Sequence, residues 1–406
     1  MLKQNDKAMC SPDFYADVGF NIILTWLKEN CLCILNRDYF SDLTPLNNIK
    51  NIEETQSLSD ELLASFQRSS PIPLSTIPDI SELFAIIEVS GSKLNADQFH
   101  GLYKILICSS LIRKTLKKND FPLWHSNSRN LLDSSAAISS IEKIFDDAFQ
   151  MKLDASIKLK HLSKAISSME GKINQTMTKI FNHAREENWL NGEKIVWRNG
   201  RSMLPLKVSR KRKIKGIVQD QSATGQTAYI EPLEIIELNN QLTDLQFELE
   251  EEKQLILRQL TEYFQPMASQ IQESFYVLQH LDRYFALAKL AHKLNGIRPA
   301  LNEDGHFILN KATNPIFMLT DKKVVPLDLH MKTDQILLLS GPNAGGKTFT
   351  LKSLGLLVLM AQCGMHIPAT KVELPIFNHF FSDIGDRQSI EDDLSTFSAH
   401  IQNLSD

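Results

Sequence analysis

The pattern of apolar and polar residues changes along the 406-residue chain and predicts several kinds of structure. Apolar residues recur at intervals of three and four from about residue 14 to residue 187, which is the period of helices packed on a core. From residue 194 to residue 230, short β-branched and aromatic runs alternate with glycines, and this pattern predicts a small antiparallel sheet. Its expected strands are Lys194–Trp197, Leu204–Val208, Ile214–Val218 and Thr227–Ile230.

A long helix with an apolar seam is expected after this sheet. Pro266 ends or kinks that helix, and Met267–Leu294 resumes the helical period, so the two segments are expected to pair as an antiparallel arm. Glu248, Glu250, Glu251 and Glu252 are expected on its outer face. A leucine seam is typical of packing rather than of chemistry. The seam residues are Leu238, Leu242, Leu245, Leu249, Ile256, Leu260 and Tyr263.

An alternating strand and helix pattern begins near residue 297. Phe307–Leu309, Val324–Leu329 and Gln335–Leu339 read as strands before a helical segment, and Val372–Glu373 and Phe377–Ser382 read as strands after it. The sequence therefore predicts a mixed fold, mainly α-helical with a small β insertion, followed by an α/β segment.

A glycine-rich loop separates the strand expected at 335–339 from the next helical segment. Glycines allow a loop to turn its main-chain N–H groups towards phosphate oxygens, and the new helix adds its positive dipole end. Lys347 can reach the β- and γ-phosphates, and the Thr348 hydroxyl can bind Mg²⁺. The alternative is a glycine-rich turn between two core elements. The predicted nucleotide-binding residues are Gly341, Pro342, Asn343, Ala344, Gly345, Gly346, Lys347 and Thr348.

Six basic residues without an acid lie in the segment from Lys207 to Lys215. Because the net charge of the chain is −4, nucleic-acid binding has to rest on a local patch of this kind. Two interpretations stay open, a solvated hairpin tip and a surface that contacts a phosphate backbone. The residues are Lys207, Arg210, Lys211, Arg212, Lys213 and Lys215.

The remaining composition narrows the class of protein. The five cysteines form no CxxC pair, which favours a reducing compartment over a disulfide scaffold or a zinc site. The first residues do not resemble a secretion signal, and the longest apolar helical run, Leu354–Met365, is too short to span a bilayer. We therefore expect a cytoplasmic protein without a membrane partner.

Several separate strings, in order and spacing, resemble the MutS family of DNA-binding ATPases. More narrowly, they are similar to its second bacterial branch, which is linked to recombination control rather than to mismatch scanning. The resemblance covers about residues 140–406 well and the helical beginning only loosely. Besides the phosphate loop, the strings are Val218–Gly225, Tyr229–Pro232, Glu237–Asn240, Leu356–Ala369, Ser382–Ile390 and Leu394–His400.

The resemblance implies a domain order and a fold class. Residues 1–189 would form a mainly α-helical core and lever, and residues 190–266 a small β clamp with the start of a coiled-coil arm. Residues 267–296 would be the returning lever helix, and residues 297–406 the N-terminal part of an ABC-type α/β ATPase domain. The cofactors implied are ATP and Mg²⁺, and the implied assembly is a homodimer.

The resemblance also assigns roles beyond the phosphate loop. Ser395, Thr396 and Phe397 resemble the signature strip that completes the partner's nucleotide site, and Gln388 resembles a switch-loop residue that senses Mg²⁺ or the attacking water. Judged from the residues alone, a helix-capping turn is the favoured interpretation of Ser395 and Gln388, and only the resemblance reverses it.

The chain departs from the family pattern in three places. No apolar run that ends in Asp-Glu follows Thr348, so no catalytic residue is assigned and ATP hydrolysis by this chain alone is not expected. The family's coiled tail and terminal nuclease domain are not recognisable. Asn314 precedes Pro315 where relatives commonly have His, which puts stacking of a base there in question.

Three functions follow from these observations. The first is a nucleotide-controlled dimeric clamp on branched or recombining DNA that suppresses homologous recombination. The second is a sensor that binds and splits collided ribosomes, with the basic segment on rRNA. The third is an inactive fragment with residual nucleotide binding.

Overall fold

A computed structural model describes residues 9–10, 12–68, 71–133, 135–198, 200–320, 322–342 and 346–382. The first half of this described chain is helical, as the apolar period predicts. Its helices are α1 (Pro12–Val18), α2 (Phe20–Asn30), α3 (Leu35–Ser41), α4 (Ile49–Gln67), α5 (Ser81–Ile87), α6 (Ala96–Thr115), α7 (Pro122–Asn127), α8 (Ser135–Ile144) and α9 (Ile157–Glu186).

A four-stranded antiparallel sheet follows α9 and confirms the predicted β insertion. The strands lie in the order β1-β2-β4-β3, and Leu204 is paired with Ile230 and Ile217 with Glu231. A bulge interrupts the β3–β4 ladder between Val218 and Asp220. The strands are β1 (Val196–Arg198), β2 (Arg201–Lys207), β3 (Gly216–Gln221) and β4 (Thr227–Pro232).

The remaining described residues combine long helices with a second, mixed sheet. Its strands lie in the order β5-β8-β6-β7, with β5 parallel to β8 and the other pairs antiparallel. The elements are α10 (Leu233–Phe264), α11 (Ala268–Lys293), β5 (Ala300–Asn302), β6 (His306–Ala312), α12 (Pro315–Leu319), β7 (Leu327–Lys332), α13 (Lys347–Gln362) and β8 (Lys371–Pro375). The fold class, mainly helical with small mixed sheets, is confirmed.

The chain divides into two compact units. The first comprises Met1–Asp79, Lys104–Ser134 and Gln270–Asp406, and the second comprises Ile80–Tyr103 and Ser135–Ser269. The four-part division expected from the sequence stays a prediction. None of the helices in the described residues is both long and apolar enough to cross a bilayer.

Helix α13 lies at the centre of the first unit. Its apolar residues Leu356–Met360 are buried together with Phe20 and Ile23 of α2 and with Leu309 of β6. Each such side chain contributes about 1.5–3 kcal/mol on burial. Gly355 contacts α1 so closely that an added Cβ would lie 2.8 Å from Cγ1 of Val18. The helix that begins at the phosphate loop is therefore part of the core rather than a surface element.

The core of the second unit joins α9 and α10 to the first sheet. Ile173 and Met177 of α9 are buried with Leu242 of α10 and with Leu204 and Ile230 of the sheet. The prediction that α10 pairs with the helix after Pro266 is wrong, because the helix packed along α10 is α9. The sheet therefore packs on both neighbouring helices, α9 before it in the chain and α10 after it.

The seam of α10 is confirmed in its central part and corrected at two positions. Leu242, Ile256 and Leu260 are buried, but Phe264 is buried in place of Tyr263. Glu252 does not lie on the outer face, since it is buried and accepts a hydrogen bond of 2.7 Å from Oγ of Ser156, the N-cap residue of α9.

Two predicted strands are wrong. Residues 335–339 lie outside all eight described strands, with Ile336 97% and Leu338 87% exposed. A β-strand requires a neighbouring main chain, and the described sheet does not pair with this apolar run. Residues 377–382 likewise form no strand, apart from an isolated bridge between Phe380 and Cys10.

Candidate nucleotide and nucleic-acid sites

The described part of the phosphate loop leads directly into α13. Gly346 is the residue before the helix and has φ 82°, ψ 11°, a left-handed conformation that glycine adopts without strain. The main-chain N–H of Thr350 donates to the Gly346 carbonyl at 2.8 Å, which closes the first helical turn. The first turn of α13 therefore presents its free N–H groups and positive dipole end towards the loop.

Lys347 begins α13 and reaches back across the loop. Its Nζ donates a hydrogen bond to the main-chain oxygen of Gly341, so the ammonium lies where the two ends of the loop approach each other. Thr348 is exposed beside it, and Pro342 is exposed on the incoming side. The structure thus brings together the lysine, the threonine hydroxyl and the helix N-terminus that the sequence singled out.

A cavity of about 480 Å³ adjoins Gly346. Phe317 and Phe349 form part of its wall, with ring centroids 4.8 Å apart at an angle of 76°. Lys323 supplies a cationic group, and Val324 and Val325 supply apolar surface. The cavity is large enough, and apolar enough, to take an aromatic heterocycle.

The side chain of Asn314 forms two structural hydrogen bonds beside this cavity. Its Oδ1 accepts from the N–H of Ile316 at 2.9 Å and caps α12, while its Nδ2 donates to Oγ of Ser353 at 2.8 Å. Ser353 lies on α13, so Asn314 fixes α12 against the helix that follows the loop. Stacking at Asn314 is not available, because the side chain is an amide and is buried.

Some predicted site residues lie outside the described residues. These are the loop residues Asn343, Ala344 and Gly345, the switch residue Gln388, and the signature residues Ser395, Thr396 and Phe397. Their assigned roles stay predictions.

The basic segment is a crossover connection and not a hairpin tip. Lys207, the last residue of β2, pairs with Thr227 at the start of β4. Gly216, the first residue of β3, pairs with Pro232 at the end of β4. Residues 208–215 therefore run back along the length of the sheet. Strands β2 and β3 flank β4 and run parallel to each other.

Apolar residues fix both ends of this crossover. Val208 and Ile214 are half-buried and pack against the core of the second unit. The carbonyl of Lys215 accepts from the N–H of Leu233 at 2.9 Å, which ties the segment to the start of α10.

The charged residues lie between these anchors. Arg210, Arg212, Lys213 and Lys215 are exposed, and Lys211 is half-buried. Lys207 is partly engaged, because its Nζ donates to Oδ1 of Asn188 at 2.7 Å. The site therefore offers four exposed cations on a short segment held at both ends.

A buried carboxylate supports the sheet below the crossover. Glu231 is fully buried and accepts hydrogen bonds from Nη1 of Arg201 at 2.9 Å, from Nε2 of Gln219 at 2.6 Å and from Nδ2 of Asn239 at 2.7 Å. Gly216, which follows the basic segment, lies so close that an added Cβ would be 2.2 Å from the Glu231 carbonyl oxygen.

Comparisons with known proteins show the family of the chain. Residues 337–406 match the model for MutS domain V, which places the phosphate loop inside the match. The chain is similar to Endonuclease MutS2 of Agathobacter rectalis, with 33% identity over 401 residues that cover 96% of this chain and 50% of the relative. Endonuclease MutS2 of Caldicellulosiruptor bescii is 34% identical over 388 residues, covering 95% of this chain and 49% of the relative.

The chain belongs to the MutS family. Its relatives are of the MutS2 type, which confirms the resemblance seen in the sequence. The chain spans about half the length of the curated relatives it matches.

Sequence reasoning about this MutS-family chain missed two features of the candidate sites. The crossover was not foreseen, because a charge run carries no information on which strands it connects. The Glu231 network was also missed, although an acidic residue in a strand with three β-branched or aromatic neighbours is a usable signal of a buried carboxylate.

Proposed function

We propose that this protein binds ATP with Mg²⁺ at the phosphate loop and uses the bound nucleotide to control the grip of the basic crossover on DNA. The observation that carries the proposal is that one chain has both features. Gly346 and Lys347 form the start of a helix that follows the phosphate loop, and the crossover exposes four cations. The relatives are named Endonuclease MutS2, and an endonuclease acts on nucleic acid, which favours this partner.

The phosphate loop supports nucleotide binding through its own groups. Lys347 would exchange the Gly341 carbonyl for β- and γ-phosphate oxygens, which accept a charge-assisted hydrogen bond more strongly. The Thr348 hydroxyl would be a ligand of Mg²⁺, since hard cations take oxygen ligands. The cavity beside Phe317 and Phe349 would take the base, with Lys323 at its rim.

Titration calorimetry with ATP and Mg²⁺ tests this part. Lys347→Ala should weaken binding by at least tenfold, because it removes the only side-chain cation placed across the described part of the loop. Lys352→Ala, five residues further along α13, is the matched control and should bind as the parent does. Equal affinities for both variants would contradict the assignment.

The crossover supports contact with a phosphate backbone rather than with base edges. Arg210 ends a single 3-10 turn, and Arg212 and Lys213 follow it in turn and bend positions, whereas base reading in the major groove uses an α-helix or a two-stranded ribbon. Such binding is indifferent to sequence and falls steeply with salt. We further propose that the protein acts as a homodimeric clamp on branched or recombining DNA and suppresses recombination.

A fourfold neutral variant tests the crossover. Replacing Arg210, Lys211, Arg212 and Lys213 with Gln should lower the salt slope of log K against log salt by about three to four, at roughly 0.9 per lost phosphate contact. The matched control removes the same charge from exposed lysines of α9, and its slope should stay near that of the parent. The control positions are Lys160, Lys164, Lys172 and Lys179.

The same experiment separates DNA from rRNA. A four-way DNA junction and purified ribosomes are offered at matched salt to the parent and to both variants. Crossover-dependent binding to the junction supports the DNA clamp. Crossover-dependent binding to ribosomes alone would transfer the proposal to collided ribosomes, and no difference between the variants would remove the crossover from either role.

A further inference from the structure

A cleft of about 450 Å³ is lined by residues of α7 and α11 in the first unit. This volume falls within the range of small-molecule sites. The α11 positions are three and four residues apart, so their side chains share one face of that helix. The cleft has no lining residue in common with the cavity beside Gly346. The lining includes Trp124 and Asn127 of α7, and Tyr276, Gln279, His280 and Arg283 of α11.

The side chain of Arg283 is held in one orientation. Its Nε donates to Oδ1 of Asn36 at 2.9 Å, and its guanidinium carbon lies 4.1 Å from the ring centroid of Tyr39. Asn36 is fully buried, and its Nδ2 donates to the carbonyl of Gln279 at 2.9 Å and to Oδ2 of Asp282 at 2.7 Å. These contacts occupy Nε and one face of the guanidinium, which leaves both Nη groups for a ligand.

Several polar groups of the cleft have no hydrogen-bond partner in the described part of the chain. They are the two Nη groups of Arg283, both ring nitrogens of His280, and the side-chain amides of Asn127 and Gln279. Arginine and amide N–H groups are donors, and a neutral imidazole has one donor. An oxyanion therefore satisfies them together, because each of its oxygens accepts more than one hydrogen bond.

The charges around the cleft leave Arg283 available to an anion. The lining contains no acid, and no carboxylate among the described residues forms an ion pair with Arg283. Asp282 is buried and accepts three hydrogen bonds from the segment 32–36, while Glu61 accepts two main-chain N–H groups at the start of α7. Glu54 of α4 approaches the cleft but is exposed, so solvent and salt screen it. Glu273 shares the α11 face but lies about 15 Å from Arg283 along the helix.

Aromatic rings form the floor and the rim of the cleft. Trp124 is fully buried, and its Nε1 donates to the carbonyl of Leu58 at 2.9 Å, which fixes the ring. The ring centroid of His280 lies 5.6 Å from that of Trp124, and Tyr276 is 53% exposed at the rim. Rings in these positions suit a flat, unsaturated ligand, which stacks on aromatic faces.

We propose that this cleft binds a small organic anion, namely an arene or heterocycle that carries a carboxylate or a phosphate. The oxyanion binds the two Nη groups of Arg283, and Asn127 and Gln279 donate further hydrogen bonds to it. The flat body of the ligand lies against Tyr276 and the floor at Trp124. The site is separate from the phosphate loop, so either assignment can fail without the other.

A fluorine NMR titration of the intact chain tests the ligand class with three probes. They are 4-fluorobenzoate, 4-fluorophenyl phosphate and 4-fluorophenol, which is uncharged at neutral pH. At least one oxyanion probe should bind about tenfold more tightly than 4-fluorophenol, because only an oxyanion forms charge-assisted hydrogen bonds with arginine. The tighter oxyanion probe then identifies the group as carboxylate or phosphate. Equal affinity for all three probes would overturn the proposal.

Substitution of Arg283 tests the anion contact. Arg283→Gln should weaken the tighter probe about tenfold or more, and Arg283→Lys several-fold, because lysine keeps the charge but not the fork. Arg185→Gln is the matched control, since Arg185 is an exposed arginine of the second unit that lies over the ring of Phe181. It should bind the probe as the parent does. Equal losses in Arg283→Gln and the control would refute the contact.

Tyr276→Ala keeps the proposal testable if the Arg283 variants fold poorly. The side chain is more than half exposed, so its loss leaves the core intact. It should weaken the tighter probe about threefold or more through lost stacking. Tyr263→Ala removes another exposed tyrosine, on α10, and should leave the affinity unchanged. Unchanged affinity in Tyr276→Ala would count against the site.

Two further variants locate the probe. Lys347→Ala, which affects the phosphate loop, and the fourfold neutral variant of the crossover should both bind the tighter probe as the parent does. Loss of binding in Lys347→Ala would place the probe at the phosphate loop, and loss in the crossover variant would place it on the basic segment. Either result would overturn the assignment to the cleft.

Discussion

The buried carboxylate of Glu231 provides the sharpest stability prediction. Its oxygens accept hydrogen bonds from Arg201, Gln219 and Asn239, so it joins β2, β3 and the first turns of α10. Glu231→Ala removes the acceptor of all three donor residues at once. It leaves a buried amide group on Asn239 and an arginine that has lost its ion pair.

The expected cost is about 3 kcal/mol. Breaking a buried ion pair by removing one partner costs roughly 3–5 kcal/mol. The lower figure applies because the Arg201 side chain is 29% exposed and regains water when the carboxylate is lost. At about 1.4 kcal/mol per factor of ten, this corresponds to roughly a hundredfold change in the local opening equilibrium.

Hydrogen exchange of the intact chain measures this opening where it occurs. Amides of β3 and β4 should lose roughly a hundredfold in protection in Glu231→Ala, while amides of α13 keep theirs. Glu237→Ala is the matched control, because Glu237 is an exposed glutamate near the start of α10 that accepts a hydrogen bond from Gln241. A loss below about fivefold in the test variant, or an equal loss in the control, would refute the reasoning.

Three smaller predictions follow from local geometry and burial. Gly346→Ala should cost about 1–2 kcal/mol and weaken ATP binding in calorimetry, because alanine is strained at φ 82°. Burial alone would raise the pKa of Asp60, but the hydrogen bonds and charges of His366 and Arg298 lower it below its ordinary value. The melting temperature should therefore hold above about pH 4, fall as the pH drops through the lowered pKa, and lose this dependence in Asp60→Asn. Iodoacetamide should label Cys31 before the four buried cysteines, although burial raises the pKa of its thiol as well, and mass spectrometry of partly labelled protein checks this order.

Local pattern was sufficient to predict the first sheet. Each expected strand overlaps an observed one, because β-branched runs between glycines fix where the chain extends and where it turns. Gly200 and Gly225 have φ 75° and 67°, which other residues adopt at a cost. The glycines were therefore reliable markers of the strand ends.

The partner of α10 could not be predicted in the same way. An apolar seam indicates that a helix has a buried face, but it does not indicate which other helix packs against that face. Both α9 and α11 carry a suitable period, and α11 follows directly after Pro266. Chain order favoured α11, whereas the observed partner is α9, because Ile173 and Met177 of α9 are buried with Leu242 of α10 in a core shared with the sheet.

The candidate nucleotide site, which stays a prediction, can be derived from the sequence where its chemistry is local and not where it depends on distant contacts. Within one copy, every group expected to contact a phosphate of the bound nucleotide lies within the eight residues from Gly341 to Thr348, so a motif suffices to predict them. The far end of α13 depends instead on Gln362, whose buried amide donates to the carbonyls of Leu46 and Phe377 and accepts from the N–H of Phe377, each at 2.9 Å. One of these partners is 316 positions away in the sequence. A single glutamine among apolar residues signals a buried hydrogen-bonded amide, but only the fold identifies the groups that satisfy it.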